Sequence, residues 1–501
     1  MLTLDAQRSK IHFINEGIDF EIVAQTTPID VNAKPSPVDE VLVNNLNVDG
    51  TYQGVRFNGS ALIGNFMSFR ESREWFPLRG HLSAGKTRLD IDGRLADIFD
   101  LGPVDAQMRL AGDSFAHLHP FLKFKPPVSR PYALEAKVWQ DDGKYSFTEL
   151  KGKVGGADIA GEATYDRKSA RPVTTAALHS NSANLLDLVF LAGMDYRTLD
   201  SASNQDSAGK GNAQIFSDRV LNLEPMRKFD AHIKLDVKKL RVAKMPIDSL
   251  QLNANLVDGA LQVSPLDLGA AGGHLVGSFD FNANEQPPVV STRLDGRNLR
   301  LERIVSPGRS ETTSEGGVRA QLRASGRGKS LAAIAGSATG TLAALVDGGN
   351  ISNLVDAKLA LNLGKVIGLR IRGDRPIPLH CGAAAFDFRD GIGKSQALLL
   401  ETEQTHTDGA GTIDLRAQSY ELLLTPQPKK PGIFTLNSSI RVSGAFKNAD
   451  VKIEERVPLR QNGRTAPPAT VASLFKPLLD KRGDSACAQM LAPVKMVASA
   501  G

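Results

Sequence analysis

The sequence offers few residues that could bind a metal ion. His117 and His119 form an HxH pair that provides two ligands, and Asp90 and Asp92 begin a DxDG pattern of the calcium-binding type. A metal centre needs further ligands at suitable spacing, and none stands near either pair. We therefore expect no metal site, and interpret Asp90 and Asp92 as carboxylates along a strand.

Catalytic motifs are incomplete in the same way. GKS occurs at 328–330 and 393–395, but a phosphate-binding loop also needs a glycine where Arg323 and Phe388 stand. His380 and Cys381 are adjacent, and a strand would place them on opposite faces. No GxSxG, HExxH or complete GxGxxG occurs. These patterns predict a protein that is not an enzyme and needs no cofactor.

Two cysteines, Cys381 and Cys487, are too few for a disulfide framework or a zinc module. They can form one disulfide in an oxidising compartment, or remain two buried thiols. The sequence leaves both alternatives open.

Length and charge narrow the class of protein. The 501 residues carry a formal net charge of only +5, evenly spread, which argues against nucleic acid as a partner. Aromatic residues make up 6% of the chain and glycine is abundant, as in proteins built from many short strands and tight turns. As written, the chain shows no export signal and no apolar run long enough to span a membrane.

Alternation of apolar and polar residues is the main structural signal. In LQLNANL, residues 250–256, every second residue is apolar, which is typical of a strand with one buried face. The same period recurs in IKLDV, ALEAKV and SIRVSGAF. Asp-Gly pairs at 142–143, 258–259 and 390–391 predict tight turns between antiparallel strands. We expect a mainly β fold: an elongated, curled, groove-like and largely antiparallel sheet.

Helices are predicted to be few and short, at 113–122, 182–192, 330–336, 350–368 and 469–480. Ser330 is a suitable N-cap for the third, and Asn350 or Ser352 for the fourth. The last helix is amphipathic through Val471, Leu474, Phe475 and Leu478, so it can rest on a membrane or partner, or cap the end of the sheet.

Internal repetition favours stacked β units over a closed globule. GGADIAGEATYD is echoed by GGHLVGSFDFN, which aligns Gly161 with Gly277, and TDGAGTIDL gives a weaker third echo around Gly411. Irregular connectors at 197–213, 306–317 and 457–469 divide the chain into four predicted regions. They are an N-terminal β-repeat region at 1–196, a central one at 214–320, a C-terminal β region at 321–456, and a linker with the C-terminal helix at 457–501.

At 328–453 the chain resembles the C-terminal region of the AsmA-like family of bacterial envelope proteins, and 87–122 and 150–166 resemble the family's repeating β units. The residues that carry the C-terminal resemblance are Asp374, Pro376, Pro378, Cys381, Phe386, Gly391, Gly409, Gly411, Asp414, Leu415, Gly444 and Phe446. The chain departs from the family in lacking the usual N-terminal membrane-spanning helix and a proline near Ala449.

The resemblance implies a periplasmic, inner-membrane-associated protein that maintains the outer membrane, with phospholipid transfer between the two membranes as its activity. The alternative is a structural or assembly factor for outer-membrane proteins that binds envelope proteins along its sheet edges. A sheet with one apolar face and too few helices to cover it agrees with lipid binding. The candidate lipid-facing residues are Leu250, Leu252, Leu256, Ile413 and Leu415.

Overall fold

The computed structural model describes residues 9–29, 42–64, 75–96, 103–121, 126–192, 196–197, 215–242, 247–305, 315–352, 376–429, 438–446, 448–455, 469–479 and 486–491. Strands dominate these ranges, and 24 of them belong to one sheet that is mostly antiparallel and not closed. The mainly β, largely antiparallel fold with few short helices is therefore confirmed.

The chain divides into two compact units. The N-terminal unit comprises residues 1–199, 222–240 and 254–259, and the C-terminal unit comprises residues 200–221, 241–253 and 260–501.

In the N-terminal unit, consecutive strands pair antiparallel from β1 to β11. These strands are β1 Ser9–Asn15, β2 Phe20–Pro28, β3 Asn44–Tyr52, β4 Val55–Ile63, β5 Phe76–Ala84, β6 Thr87–Leu95, β7 Val104–Gly112, β8 Tyr132–Asp141, β9 Lys144–Val154, β10 Ala157–Asp166 and β11 Val173–Ser180. One pair departs from the antiparallel pattern, because β11 pairs in parallel with β13 (Asp230–Val237). Parallel strands need a long crossover connection, and residues 181–229 provide it.

In the C-terminal unit, consecutive strands pair antiparallel from β16 to β26. These strands are β16 Ala260–Ala270, β17 Gly273–Asn282, β18 Val289–Arg300, β19 Gly317–Arg327, β20 Thr339–Ser352, β21 Pro376–Arg389, β22 Ile392–Thr402, β23 Thr405–Asp414, β24 Ser419–Pro428, β25 Ser438–Ala445 and β26 Asn448–Glu455. The strand β15 (Ile247–Val257) also belongs to the large sheet. The short strands β12 (Ala183–Asn184) and β14 (Leu240–Arg241) pair with each other in a separate two-stranded sheet.

The described α-helices are α1 Leu185–Leu188, α2 Leu301–Val305, α3 Leu331–Gly336, α4 Ala469–Phe475 and α5 Ala486–Leu491. Phe115–Phe121 and Val189–Ala192 form 3₁₀ helices, as do Glu16–Ile18 and Pro225–Arg227. The Ser330 side chain caps α3 by accepting a hydrogen bond from the Ala333 amide at 3.1 Å, as predicted.

The helix predicted at 350–368 is wrong at its start. Residues 350–352 end β20, where Asn350 lies opposite Pro378 and Ser352 opposite Pro376, so no helix begins at Asn350. Pairing along the whole of β21 outweighs the local capping preference. Residues 353–368 lie outside the described ranges.

All three predicted Asp-Gly turns are present. Asp142, Asp258 and Asp390 have positive φ angles, and so do the glycines that follow them, as two-residue turns between twisted strands require. Gln53-Gly54 and Ala271-Gly272 adopt the same conformation, although neither pair is a strong turn signal.

The repeated glycines mark equivalent positions in the sheet. Gly161 lies opposite Leu178, Gly277 opposite Leu294, and Gly411 opposite Leu422. A Cβ atom at these three glycines would come within 2.0, 1.8 and 2.2 Å of a carbonyl oxygen on the next strand. The repeat therefore preserves a close approach of two backbones, and only glycine permits it.

Candidate functional site

One face of the sheet in the N-terminal unit is apolar from strand to strand. Because residues paired across a ladder share a face, the registers align Leu82, Leu89, Leu110 and Leu134 in one row across β5 to β8. These four leucines are all partly exposed. We call this side of the unit its apolar face.

Aromatic rings extend this face at the first strands. Phe20 stacks on Phe57 with ring centroids 6.0 Å apart, and Phe13 and Tyr52 contact Phe20 at similar distances. Phe13 on β1 is 49% exposed. Large apolar rings on a partly exposed surface favour contact with an apolar ligand.

The C-terminal unit has its own apolar face. Leu294, Leu322, Leu342 and Phe386 form one row across β18 to β21. Beside it lies a groove of about 270 Å³, with glycine and alanine on its floor and Leu398, Leu400 and Leu424 among its walls. The small residues make room that larger side chains would fill, and the groove is almost entirely apolar.

The opposite side of the N-terminal unit, its polar face, carries ion pairs. Arg79 contacts Asp92 at 3.0 Å and Arg94 contacts Asp105 at 2.8 Å, each across two neighbouring strands. A hydrogen bond from Arg88 lowers the pKa of Asp90, and one from Arg109 lowers the pKa of Glu135. Both carboxylates are therefore ionised at neutral pH, and this face is suited to water.

The polar face of the C-terminal unit is also charged. His406 lies between Glu401 and Asp408, and a hydrogen bond with Asp408 raises the pKa of His406. Burial alone would raise the pKa of Glu401, but hydrogen bonds from Lys429 and His406 outweigh it and lower the pKa. The Lys429 ammonium lies 2.6 Å from Glu401.

One patch of this polar face is apolar, and helices cover it. Ala343 and Leu345 on β20 and Ala383 and Ala385 on β21 form one cluster with C-terminal residues. These are Val471 and Phe475 of α4, Leu478 in the turn after α4, and Leu491 of α5. A disulfide joins Cys381 of β21 to Cys487 of α5, with Cα atoms 5.1 Å apart. The amphipathic C-terminal helix, α4, thus packs on a face of the sheet, whereas the sequence left contact with a membrane or partner and capping of the sheet end as alternatives.

The polar face of the C-terminal unit also contains a like-charge pair. Arg293 on β18 lies directly opposite Arg323 on β19, and Arg323 contacts Asp295 at 2.8 Å. Like charges in directly opposed positions repel each other.

Arg293→Glu is expected to raise the free energy of unfolding by about 0.2–1 kcal/mol, as measured by urea denaturation. Arg293→Gln, which only removes the repulsion, should give a smaller gain; equal stability of all three proteins would contradict this account.

The five candidate lipid-facing residues differ in their surroundings. Leu250, Leu252 and Leu256 share one side of β15, and Leu250 and Leu256 are buried whereas Leu252 is partly exposed. Ser249 lies against Gly269, which places Ser249 on the polar side and its neighbour Leu250 on the apolar one. Ile413 lies on the apolar face, opposite Tyr420. Leu415 lies in the turn after β23.

The rows that dominate both apolar faces were not among these candidates. Leu89 lies between Arg88 and Asp90, and Leu110 follows Arg109, so part of the two-residue period was present in the sequence. Gly80 and Gly93, which lie on the same face, interrupt the apolar pattern. Only the registers show that the leucines line up from strand to strand.

Asp90 and Asp92, the residues of the calcium-like pattern, both form ion pairs with arginine. Cys381 is buried in the disulfide, and His380 beside it is exposed. Within the described ranges, no group of three histidine, cysteine or acidic residues is arranged to hold a metal ion. No helix in this part of the chain has the length and apolar character needed to cross a membrane.

Comparison with known proteins confirms the resemblance. The model of the AsmA family matches residues 143–398, just over half of the chain. The AsmA family protein YhjG of Escherichia coli (strain K12) is 26% identical over 475 residues, which cover 90% of this chain and 69% of that protein. The β-rich architecture, the repeated glycines and the C-terminal motifs thus have one explanation: the chain belongs to the AsmA family.

Proposed function

We propose that this chain is a non-catalytic protein that carries phospholipid between the inner and outer membranes and so maintains the outer membrane. Membership of the AsmA family supports a place in the cell envelope. The periplasm, in association with the inner membrane, is the compartment we propose. The disulfide between Cys381 and Cys487 supports it, because disulfides persist in oxidising compartments.

The difference between the two faces of the C-terminal unit carries the proposal. Its polar face has an apolar patch, and α4 and α5 cover that patch. Its apolar face keeps partly exposed leucines and an open groove. Exposed apolar surface costs free energy in water, and each acyl CH₂ that is buried contributes about 0.8 kcal/mol. Acyl chains on this face would shield both themselves and the leucines.

A protein-binding role remains the second candidate, supported by the sheet edges. Among the described strands, β1 pairs only with β2 and β26 only with β25. Val451 and Ile453 on β26 are 61% and 54% exposed. An open edge with exposed apolar residues can accept a strand from another protein, as a factor for outer-membrane protein assembly would require.

Site-specific photo-crosslinking separates the two roles. A photoreactive residue at Leu82 or Leu110, on the apolar face, is expected to capture phospholipid, detected by mass spectrometry of the adduct. The same photoreactive residue at Ser83 or Arg109, which are adjacent to Leu82 and Leu110 but lie on the polar face, should capture no phospholipid. Adducts with protein at β26 and no lipid at Leu82 or Leu110 would contradict lipid transport and favour the assembly role.

A further inference from the structure

The two tryptophans of the chain meet on the polar face of the N-terminal unit. Trp75 immediately precedes β5 and Trp139 belongs to β8, and their ring centroids lie 5.7 Å apart. Trp139 pairs with Asp105, on the face opposite Val138 and the leucine row. Its side chain is 45% exposed. An indole left in water on a charged surface is costly unless something covers it.

Arg94 fixes one side of this pair. Its guanidinium carbon lies 4.9 Å from the centre of the Trp75 ring, and the same group contacts Asp105 at 2.8 Å. The cation–π contact and the ion pair hold Trp75 against the sheet. Trp139 is therefore the ring with a free surface, and its position is set by a rigid strand.

An open depression of about 480 Å³ is lined by Arg94, which contacts the Trp75 ring, and by Asp105, which lies directly opposite Trp139 on the next strand. Pro77, Asp92, Arg94, Asp105, Gln107 and Lys137 contribute to its walls. Carboxylates accept hydrogen bonds, guanidinium and ammonium groups donate them, and the Gln107 amide does both. Lys137 has no ion-pair partner among the described residues, so its donors are free for a ligand. The volume is typical of a small-ligand site.

We propose that this depression binds an oligosaccharide. A pyranose ring has an apolar C–H face that packs on an indole, and its rim carries hydroxyl groups that need both donors and acceptors. Trp139 supplies the stacking surface, while Asp92, Asp105, Gln107 and Lys137 supply the mixed donors and acceptors. The site lies on the face opposite the leucine row, so it is independent of lipid transport.

The charge of the depression argues against a membrane surface as its ligand. Tryptophan and basic residues often anchor proteins at anionic bilayers. Here two carboxylates, Asp92 and Asp105, share the walls with Arg94 and Lys137, and Arg79 contacts Asp92 from outside the walls, so acidic and basic groups stand in near balance. A neutral, hydroxyl-rich ligand suits that balance better than a layer of phosphates.

Tryptophan fluorescence tests the proposal directly, because both tryptophans of the chain lie at the site. Chitotetraose, cellotetraose and maltotetraose would each be titrated into the full chain. A separate titration would add vesicles of phosphatidylglycerol in place of the sugar. At least one sugar is expected to give a saturable change in emission. Trp139→Ala should weaken its binding about tenfold or more, as measured by calorimetry. Lys151→Ala, on the polar face of β9, is the matched control and should bind as the wild type does.

Two results would overturn the proposal. One is the absence of a saturable response to all three sugars. The other is a response only to vesicles of phosphatidylglycerol, which would identify the tryptophans as a membrane anchor. Because nearly half of Trp139 is exposed, Trp139→Ala should keep the wild-type circular dichroism spectrum. Trp139→Phe, which retains an aromatic face, should recover part of the affinity if stacking is the cause.

Discussion

Loss of the disulfide between Cys381 and Cys487 is expected to lower the free energy of unfolding of the C-terminal unit by about 4–5 kcal/mol. The bond closes a loop between residues 106 positions apart, and the chain entropy released to the unfolded state grows with loop length. Measured losses for natural disulfides reach about 2–5 kcal/mol. The change would be measured by urea denaturation of Cys381→Ala and Cys487→Ala.

Loss of the disulfide is also expected to loosen the C-terminal helices before the rest of the unit unfolds. Phe475 and both cysteines are completely buried between the C-terminal helices and β20 and β21. Without the bond, α5 loses its covalent link to β21 and relies on packing with this small apolar cluster, and a helix of six residues is not stable alone. Proteolysis within 469–491 is therefore expected to become faster in the variants, before the sheet itself unfolds.

The double variant provides the control. If the bond is the cause, Cys381→Ala/Cys487→Ala should be no less stable than either single variant, because each already removes the bond. A reducing agent should destabilise the wild type and leave the double variant unchanged. Additive losses in the double variant, or a wild type insensitive to reduction, would show that the two side chains act only through packing.

Much of the fold follows from local sequence. Alternation places Leu250 and Leu252 on one side of a strand, and Asp-Gly pairs fix the turns, because both effects act within a few residues. The parallel pairing of β11 with β13 depends on a connection of some fifty residues (181–229), which no local pattern specifies. The end of β20 at 350–352 likewise depends on pairing with β21.

The candidate site was predictable in kind and less so in position. The alternation predicts that the sheet has an apolar face. It does not predict which residues of neighbouring strands lie side by side on that face, because the register of strand pairing decides this. β20 and β21 carry apolar residues on both faces, so period-two reasoning cannot tell which face α4 and α5 cover. Trp75 and Trp139 are 64 positions apart, and only the registers of β5 to β8 bring them together.

A charge on the apolar face is expected to weaken lipid binding strongly without unfolding the protein. Leu89 lies between Leu82 and Leu110 and is partly exposed, so Leu89→Asp can stay hydrated in the lipid-free protein. An acyl chain lying over this row would remove water from the carboxylate and leave it unpaired, at a cost of about 3 kcal/mol or more. That corresponds to a loss of about 100-fold or more in affinity for a fluorescent phospholipid.

Ser83→Asp tests whether the loss of lipid binding depends on where the carboxylate is placed or only on the added negative charge. Ser83 directly follows Leu82 on β5 and lies on the polar face opposite Arg88, which also contacts Asp90, so a carboxylate there stays in water beside a guanidinium. The Ser83→Asp variant should therefore bind phospholipid with the affinity of the wild type. Binding would be measured by fluorescence titration, with urea denaturation to show that both variants are folded. If folded Leu89→Asp keeps its affinity, or if Ser83→Asp loses as much, phospholipid does not lie on the leucine row, and the apolar face must be explained by a different partner.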